Sequence, residues 1–228
     1  MEAEKISIGW IDPGMTEGAF THSLASVVGA MSYFGCLGEI HRATSSRPNV
    51  SRNTVVSDFL ATDHPWIWLV DSDMVFNEQD HPMRLWSTAS EYDADMVSGL
   101  TFIFHDERQP MPSIFIEKNG EIGRIVNKVP EEPMEIRACG LASVLIHRRV
   151  FEALEAPRHE SLRWFDEIEM PQAEGIAGED VQFFLRATDL GFKLMVDPGA
   201  QTQHIKRVGV GLDSFNRYWE LAELLAPA

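Results

Sequence analysis

The chain has 228 residues, a formal charge of −16 and 44% hydrophobic content with thirteen Phe and six Trp, enough apolar mass for one α/β domain without covalent staples. Such acidity argues against a nonspecific nucleic-acid binder, which needs a basic face against phosphate, while Arg47, Arg52, Lys206 and Arg207 are candidates for a small local basic site. Cys36 and Cys139 form no disulfide framework, no apolar run reaches the roughly 18–20 residues of a membrane span, and the acidic start Met1-Glu2-Ala3-Glu4-Lys5 is not a signal peptide, so a soluble, cytoplasmic protein is expected.

In chain order, Ile6 to Ile11 reads as a strand ended by Asp12-Pro13-Gly14. Phe20 to Phe34 has apolar residues at helical spacing, Glu39 to Ala43 is a short strand, Ser51 to Leu60 a helix and Trp66 to Val70 a strand. This β-α-β-α-β alternation predicts a mostly parallel sheet covered by helices. A helix over Asp80 to Glu91 and a strand over Asp95 to Ser98 follow. From Thr101 to Val129 the pattern becomes short extended pieces, with Asn119-Gly120 as a hairpin turn signal, and the region to Pro133, which matches no assigned pattern, is expected to carry acceptor specificity. Ile136 to Ile146 is an apolar strand broken at Gly140, and Val150 to Leu154 a short helix. After a loop-rich stretch over 155–177, Gly178-Glu179-Asp180 opens an amphipathic helix to Leu190 with Gly191 at its C-terminal cap. A strand over Phe192 to Val196 and a terminal helix over Ser214 to Leu225 complete the chain.

The chemistry begins where the Trp66–Val70 run ends, with Asp71 and Asp73 one residue apart. Strand side chains alternate faces, so both carboxylates point the same way as the chain leaves the sheet. Such a pair can hold a hard divalent cation, and the cation a diphosphate; the plainer alternative is a solvated turn. Glu179 and Asp180 likewise either serve a reaction or complement the dipole of the helix they open. Gly140 either admits a close backbone approach or marks a β-bulge.

Taken together and in order, Asp71-Ser72-Asp73, Gly140-Leu141-Ala142, Gly178-Glu179-Asp180 and His204 resemble the GT-A glycosyltransferases, most closely the compact family-2-like bacterial and phage enzymes. The resemblance spans nearly the whole chain and implies one GT-A domain. Its Rossmann-like, mostly parallel central sheet would be flanked by helices and joined by a small irregular β region. Residues 1–100 would form the nucleotide-sugar-binding half and 101–228 the acceptor and catalytic half. It further implies Mn2+ or Mg2+, with Asp73 on the ion, Asp71 reaching ion or ribose, and His204 completing the coordination; oxygen ligands with one imidazole suit Mn2+. The ion would stabilise the leaving diphosphate. Asp180 would act as general base of an inverting transfer, with Glu179 contacting acceptor or donor sugar.

By the same resemblance Asp12 and Pro13 line the nucleobase pocket. Arg52, in Ser51-Arg52-Asn53, faces the donor beside Ser72 and either pairs with phosphate or locks the Asp71 loop. Lys206 sits on a flap near the phosphates. Gly140, Leu141 and Ala142 offer backbone amides to donor sugar or acceptor. Trp164 and Phe165 either stack on a sugar or plug the core.

The implied activity is metal-dependent transfer from a nucleotide-diphospho-sugar, a UDP-sugar by default, to the hydroxyl of a glycan, protein, small molecule or modified nucleobase. A nucleotidyltransferase shares the doubly wound sheet but brings a Gly- and Arg-rich loop after the first strand, whereas Asp12 to Gly18 contains no basic residue. A sugar-nucleotide-binding protein without turnover is the non-enzymatic alternative, and the full set of carboxylates and histidine argues against it. In a retaining transfer Asp180 would only position substrate.

Overall fold

In the computed structural model the described residues are 4–105, 109–125, 128–154, 163–166, 178–206 and 211–212. The main sheet is built from β1 (Ile6–Asp12), β2 (Leu37–Thr44), β3 (Trp66–Asp71), β5 (Met96–Leu100), β10 (Met134–Glu135), β12 (Ser143–His147) and β13 (Leu194–His204). Its order is β10-β13-β5-β12-β3-β1-β2, and the short β4 (Met74–Phe76) pairs with the far end of β13. Strands β2, β1, β3, β5 and β13 run one way, while β12 and β10 run against them. Among the described residues the helices on the sheet are α1 (Gly18–Tyr33), α2 (Pro48–Leu60), α3 (His81–Tyr92), α4 (Arg148–Ala153) and α5 (Glu179–Asp189). Among the described residues no helix is long and apolar enough to cross a membrane.

The period-2 alternation of β3 explains the layers. Trp66, Trp68 and Val70 pack with Phe20, Val27 and Leu85 of α1 and α3, whereas Ile67 and Leu69 pack with Val55, Phe59, Phe151 and Phe183 of α2, α4 and α5. The α2 face lies so close that a side chain at Gly9 would meet Leu69 at 2.5 Å and Val55 at 2.6 Å, which is why β1 carries a glycine there. Asp71 continues the parity of Ile67 and Leu69, so it faces α2.

The short extended pieces after residue 100 pair as antiparallel strands. Strands β6 (Phe102–His105) and β7 (Gln109–Pro112) pair with each other. Strands β8 (Ile114–Lys118) and β9 (Glu121–Arg124) join β11 (Ala138–Cys139) in a three-stranded sheet. Asn119 and Gly120 have φ of 56° and 81°, as the Asn-Gly turn signal requires. The strand expected over 136–146 is broken at Gly140 as the sequence indicates, and its two parts, β11 and β12, belong to different sheets.

The strand expected over Phe192 to Val196 is also longer. It begins at Leu194 and runs through Asp197-Pro198-Gly199 to His204, absorbing these residues in a register shift against β5. His204 therefore lies on the strand rather than beyond it. The terminal helix expected over 214–225 lies outside the described residues, as do Arg207 and most of the loop over 155–177.

Candidate active site

The strand order reverses at β1: β2 lies on one side and β3 on the other, with α1 and α2 on opposite faces. A crevice opens at the carboxyl ends of strands at such a switch point. Here it is a cleft of about 500 Å³ whose lining includes Asp12, Ser51, Arg52, Asp71, Ser72 and Asp73. Ile11 and Pro13 line it as well. The Asp12 carboxylate is held by partners within the protein: Arg42 donates to it from Nε at 2.7 Å and from Nη2 at 3.2 Å, and the Gly14 amide donates at 2.7 Å. The Arg42 hydrogen bond holds this carboxyl below its usual range despite burial.

Arg52 is the hinge of the site. It sits in the first turns of α2, buried, and donates to both oxygens of Asp71 at 3.0 and 3.2 Å and to Glu179 at 2.5 Å. Glu179 is 127 positions away in sequence and opens α5. Of the alternatives for Arg52, the geometry is that of a lock on the Asp71 end of β3. Burial pushes the guanidinium toward neutrality, but the charges of Asp71, Glu179 and Asp180 outweigh it and keep it cationic. Asp71, expected to reach a metal ion or ribose, has both carboxylate oxygens bonded to this arginine. Burial raises its carboxyl, with Arg52 pulling the other way.

Asp73 lies in the turn between β3 and β4 and faces a different set. Its Oδ2 accepts from His204 Nε2 at 2.9 Å and Lys206 Nζ at 3.1 Å. Burial alone would raise Asp73, but these two hydrogen bonds hold it below the ordinary carboxylate value. His204 reaches it because β4 and β13 pair Met74 with His204, and its Nδ1 lies 2.9 Å from the Phe102 carbonyl. The carbonyl holds the Nδ1 side of the ring, so Nε2 points at Asp73. Asp71 and Asp73, expected side by side, are divided between two partners by the turn at Ser72.

Asp180 stands next to Glu179 at the start of α5. The Val181 amide donates to its Oδ1 at 2.7 Å, and Gly140 faces its other oxygen. A Cβ on Gly140 would lie 2.7 Å from Ser113 Oγ and 3.6 Å from Asp180 Oδ2. Burial raises the Asp180 carboxyl, while Arg52 and the Val181 amide favour its charged form. A carboxyl shifted upward, with a residue lacking a side chain beside it, suits a group that takes up a proton.

Leu141 and Ala142 are buried, with their side chains in the two core layers. Trp164 and Phe165 are buried too, and the core alternative is the one observed. Trp164 Nε1 donates to the Phe151 carbonyl at 2.9 Å, and Asn53 ties the pair to α2, donating to the Phe165 carbonyl and accepting from the Trp164 amide. Neither ring offers a face to a sugar, so that expectation is corrected.

Arg42 and Arg124 carry no local signal of a place at the site, whereas Ser51 belongs to the Ser51-Arg52-Asn53 segment expected to face the donor. Arg42 clamps Asp12, and Ser51 lines the cleft with a buried hydroxyl lacking a hydrogen-bond partner among the described residues. Arg124 of β9 stacks 4.6 Å over Phe115 and feels the Asp180 charge.

The sequence matches no family profile and no curated protein sequence. The fold does match solved structures. The crystal structure of A197 from STIV is 16% identical at a TM-score of 0.55, with 90% of this chain and 98% of that one covered. The crystal structure of GalNAc-T7 with UDP, GalNAc and Mn2+ is 13% identical at a TM-score of 0.56, with 90% of this chain covering 43% of that one. The architecture is thus GT-A-like: a central sheet of mostly parallel strands flanked by helices, with small antiparallel sheets beside it.

Proposed function

We propose that this chain is a glycosyltransferase that moves a sugar from a nucleotide-diphospho-sugar, a UDP-sugar by default, to an acceptor hydroxyl with inversion. The supporting observation is Arg52, which joins the Asp71 end of the donor cleft to Glu179, the neighbour of Asp180. The likeness to a GT-A structure holding UDP and Mn2+ supports the same reading.

Among the described residues no three His, Cys, Asp or Glu side chains group closely enough to hold a metal alone. Asp73 and His204 nevertheless fit one. Their donor atoms are 2.9 Å apart, and a hard cation that keeps open positions for phosphate oxygens takes few protein ligands. These two residues would hold Mn2+ or Mg2+, which supplies charge stabilisation to the leaving diphosphate when bound.

Asp180 then takes the acceptor proton at a carboxylate oxygen facing Gly140. Arg52 and Glu179 hold the start of α5 against the cleft, and Ser51 Oγ offers a donor or acceptor to the nucleotide. Asp12 and Pro13 shape the nucleobase end through backbone and position, and the Lys206 ammonium meets the phosphates.

The test is the melting temperature with UDP, GDP, dTDP and CMP, each with and without Mn2+. A ligand that binds only the folded state raises it. One nucleoside diphosphate should raise it, only with Mn2+, and Asp73→Ala should abolish the rise; no shift with any of the four refutes the donor assignment.

A further inference from the structure

We propose that Lys206 is the standing counter-cation of Asp73 and surrenders that carboxylate to a divalent metal only when a nucleoside diphosphate receives the ammonium instead. Metal binding is thereby conditional on donor binding. This rests on the donor-site reading above and assigns Lys206 a positioning role that the reading alone does not contain.

The geometry is a shared oxygen. Asp73 Oδ2 accepts from both His204 Nε2 and Lys206 Nζ, and a cation held by Asp73 and His204 needs the oxygen that the ammonium already neutralises. Two cations on one carboxylate oxygen repel, so the metal and the ammonium compete. The other carboxylate of the pair is no refuge for the displaced lysine, because both Asp71 oxygens are engaged by Arg52. The cleft lined by Asp73, Ser72 and Ser51 is where a diphosphate would supply the missing negative charge.

The attachment suits an exchange. The Ile205 amide donates to the Asp73 carbonyl at 2.8 Å, so the backbone is pinned one residue before Lys206. The lysine side chain is itself 39% exposed on a flexible four-carbon stem. It can move from carboxylate to phosphate without disturbing β13. His204 cannot move in this way, since its other nitrogen faces the Phe102 carbonyl. Of the two groups on Asp73 Oδ2, the strand fixes one as a ligand and leaves the other free to depart. Linkage then makes the effect reciprocal: a nucleotide that relieves the competition strengthens metal binding, and the metal strengthens nucleotide binding by the same factor.

The experiment is a Mn2+ titration followed by electron paramagnetic resonance of the free ion. It uses the wild type, Lys206→Met and Asp73→Asn, each with and without saturating UDP. Circular dichroism melting confirms that each variant is folded. Without UDP, Lys206→Met should bind Mn2+ about tenfold more tightly than the wild type, and the gain that UDP confers should shrink by about the same factor. Asp73→Asn should bind weakly throughout. An equal UDP effect in wild type and Lys206→Met overturns the role of Lys206 while leaving the metal reading standing. Failure of both to take up Mn2+ in the presence of UDP overturns the metal reading and this inference with it.

Discussion

Replacing Arg52 by Met keeps most of the stem that packs in α2 and removes the charge that Asp71 and Glu179 share. Breaking a buried ion pair from one side costs about 3–5 kcal/mol, because the remaining charges stay buried without a partner. The Asp71 and Glu179 side chains retain 26% and 18% exposure, so the lower end of that range, about 3 kcal/mol, is the expected loss. For a chain of this size each kcal/mol moves the melting temperature by roughly 2–4 °C, giving a drop of about 6–12 °C at pH 7. Differential scanning calorimetry across pH supplies the sharper check. Burial already raises Asp71, and Arg52 opposes that rise; without the arginine, ionisation in the folded state is disfavoured further. A carboxyl raised on folding contributes stability below its unfolded value near 4 and loses it as pH rises through the folded value. The deficit of Arg52→Met should therefore be largest at pH 7 and shrink toward pH 5. A drop smaller than about 2 °C at pH 7, or a deficit independent of pH, refutes the account of Arg52 as a buried clamp.

The same linkage applies to Asp180, whose carboxyl is raised chiefly by burial. Asp180→Asn should raise the melting temperature at pH 7, with the gain vanishing below about pH 4, while transfer falls by about 10²–10⁴ and the UDP and Mn2+ response is retained; turnover within a few-fold of wild type sinks the base assignment. Gly140→Ala would press a methyl against Ser113 Oγ, an overpacking worth about 1–3 kcal/mol, and should lower kcat more than it weakens UDP binding. Asn53→Ala removes hydrogen bonds to Asn49, Trp164 and Phe165 and should destabilise by about 1–3 kcal/mol; an unchanged melting temperature would show that the Trp164–Phe165 segment is not held through α2.

The carboxylates at the head of α5 are legible in the sequence because a Gly-Glu-Asp start followed by helical apolar spacing is a local signal. So were the alternation of Trp66 to Val70, which sorts side chains between two helical layers, and the Asn119-Gly120 turn, whose positive φ values only a few residue types accept. What local pattern could not supply was pairing across distance. The extent of β13 was hidden because Asp197-Pro198-Gly199 resembles a chain break, yet Arg84 and Thr88 of α3 bind Asp197 and the strand passes through a register shift to deliver His204. Trp164 and Phe165 looked equally fit for a sugar or a core, and the choice was made by Asn53 and Phe151 from other parts of the chain.

The division of Asp71 and Asp73 has the same cause. Sequence by itself determined that two carboxylates stand at the end of a buried strand in a mostly parallel α/β domain. Only the tertiary structure decided that Asp71 turns to Arg52 and Asp73 to His204 and Lys206. Strand parity is a property of neighbouring residues, whereas the partner of a charge depends on which helix and which distant strand the sheet order brings alongside it.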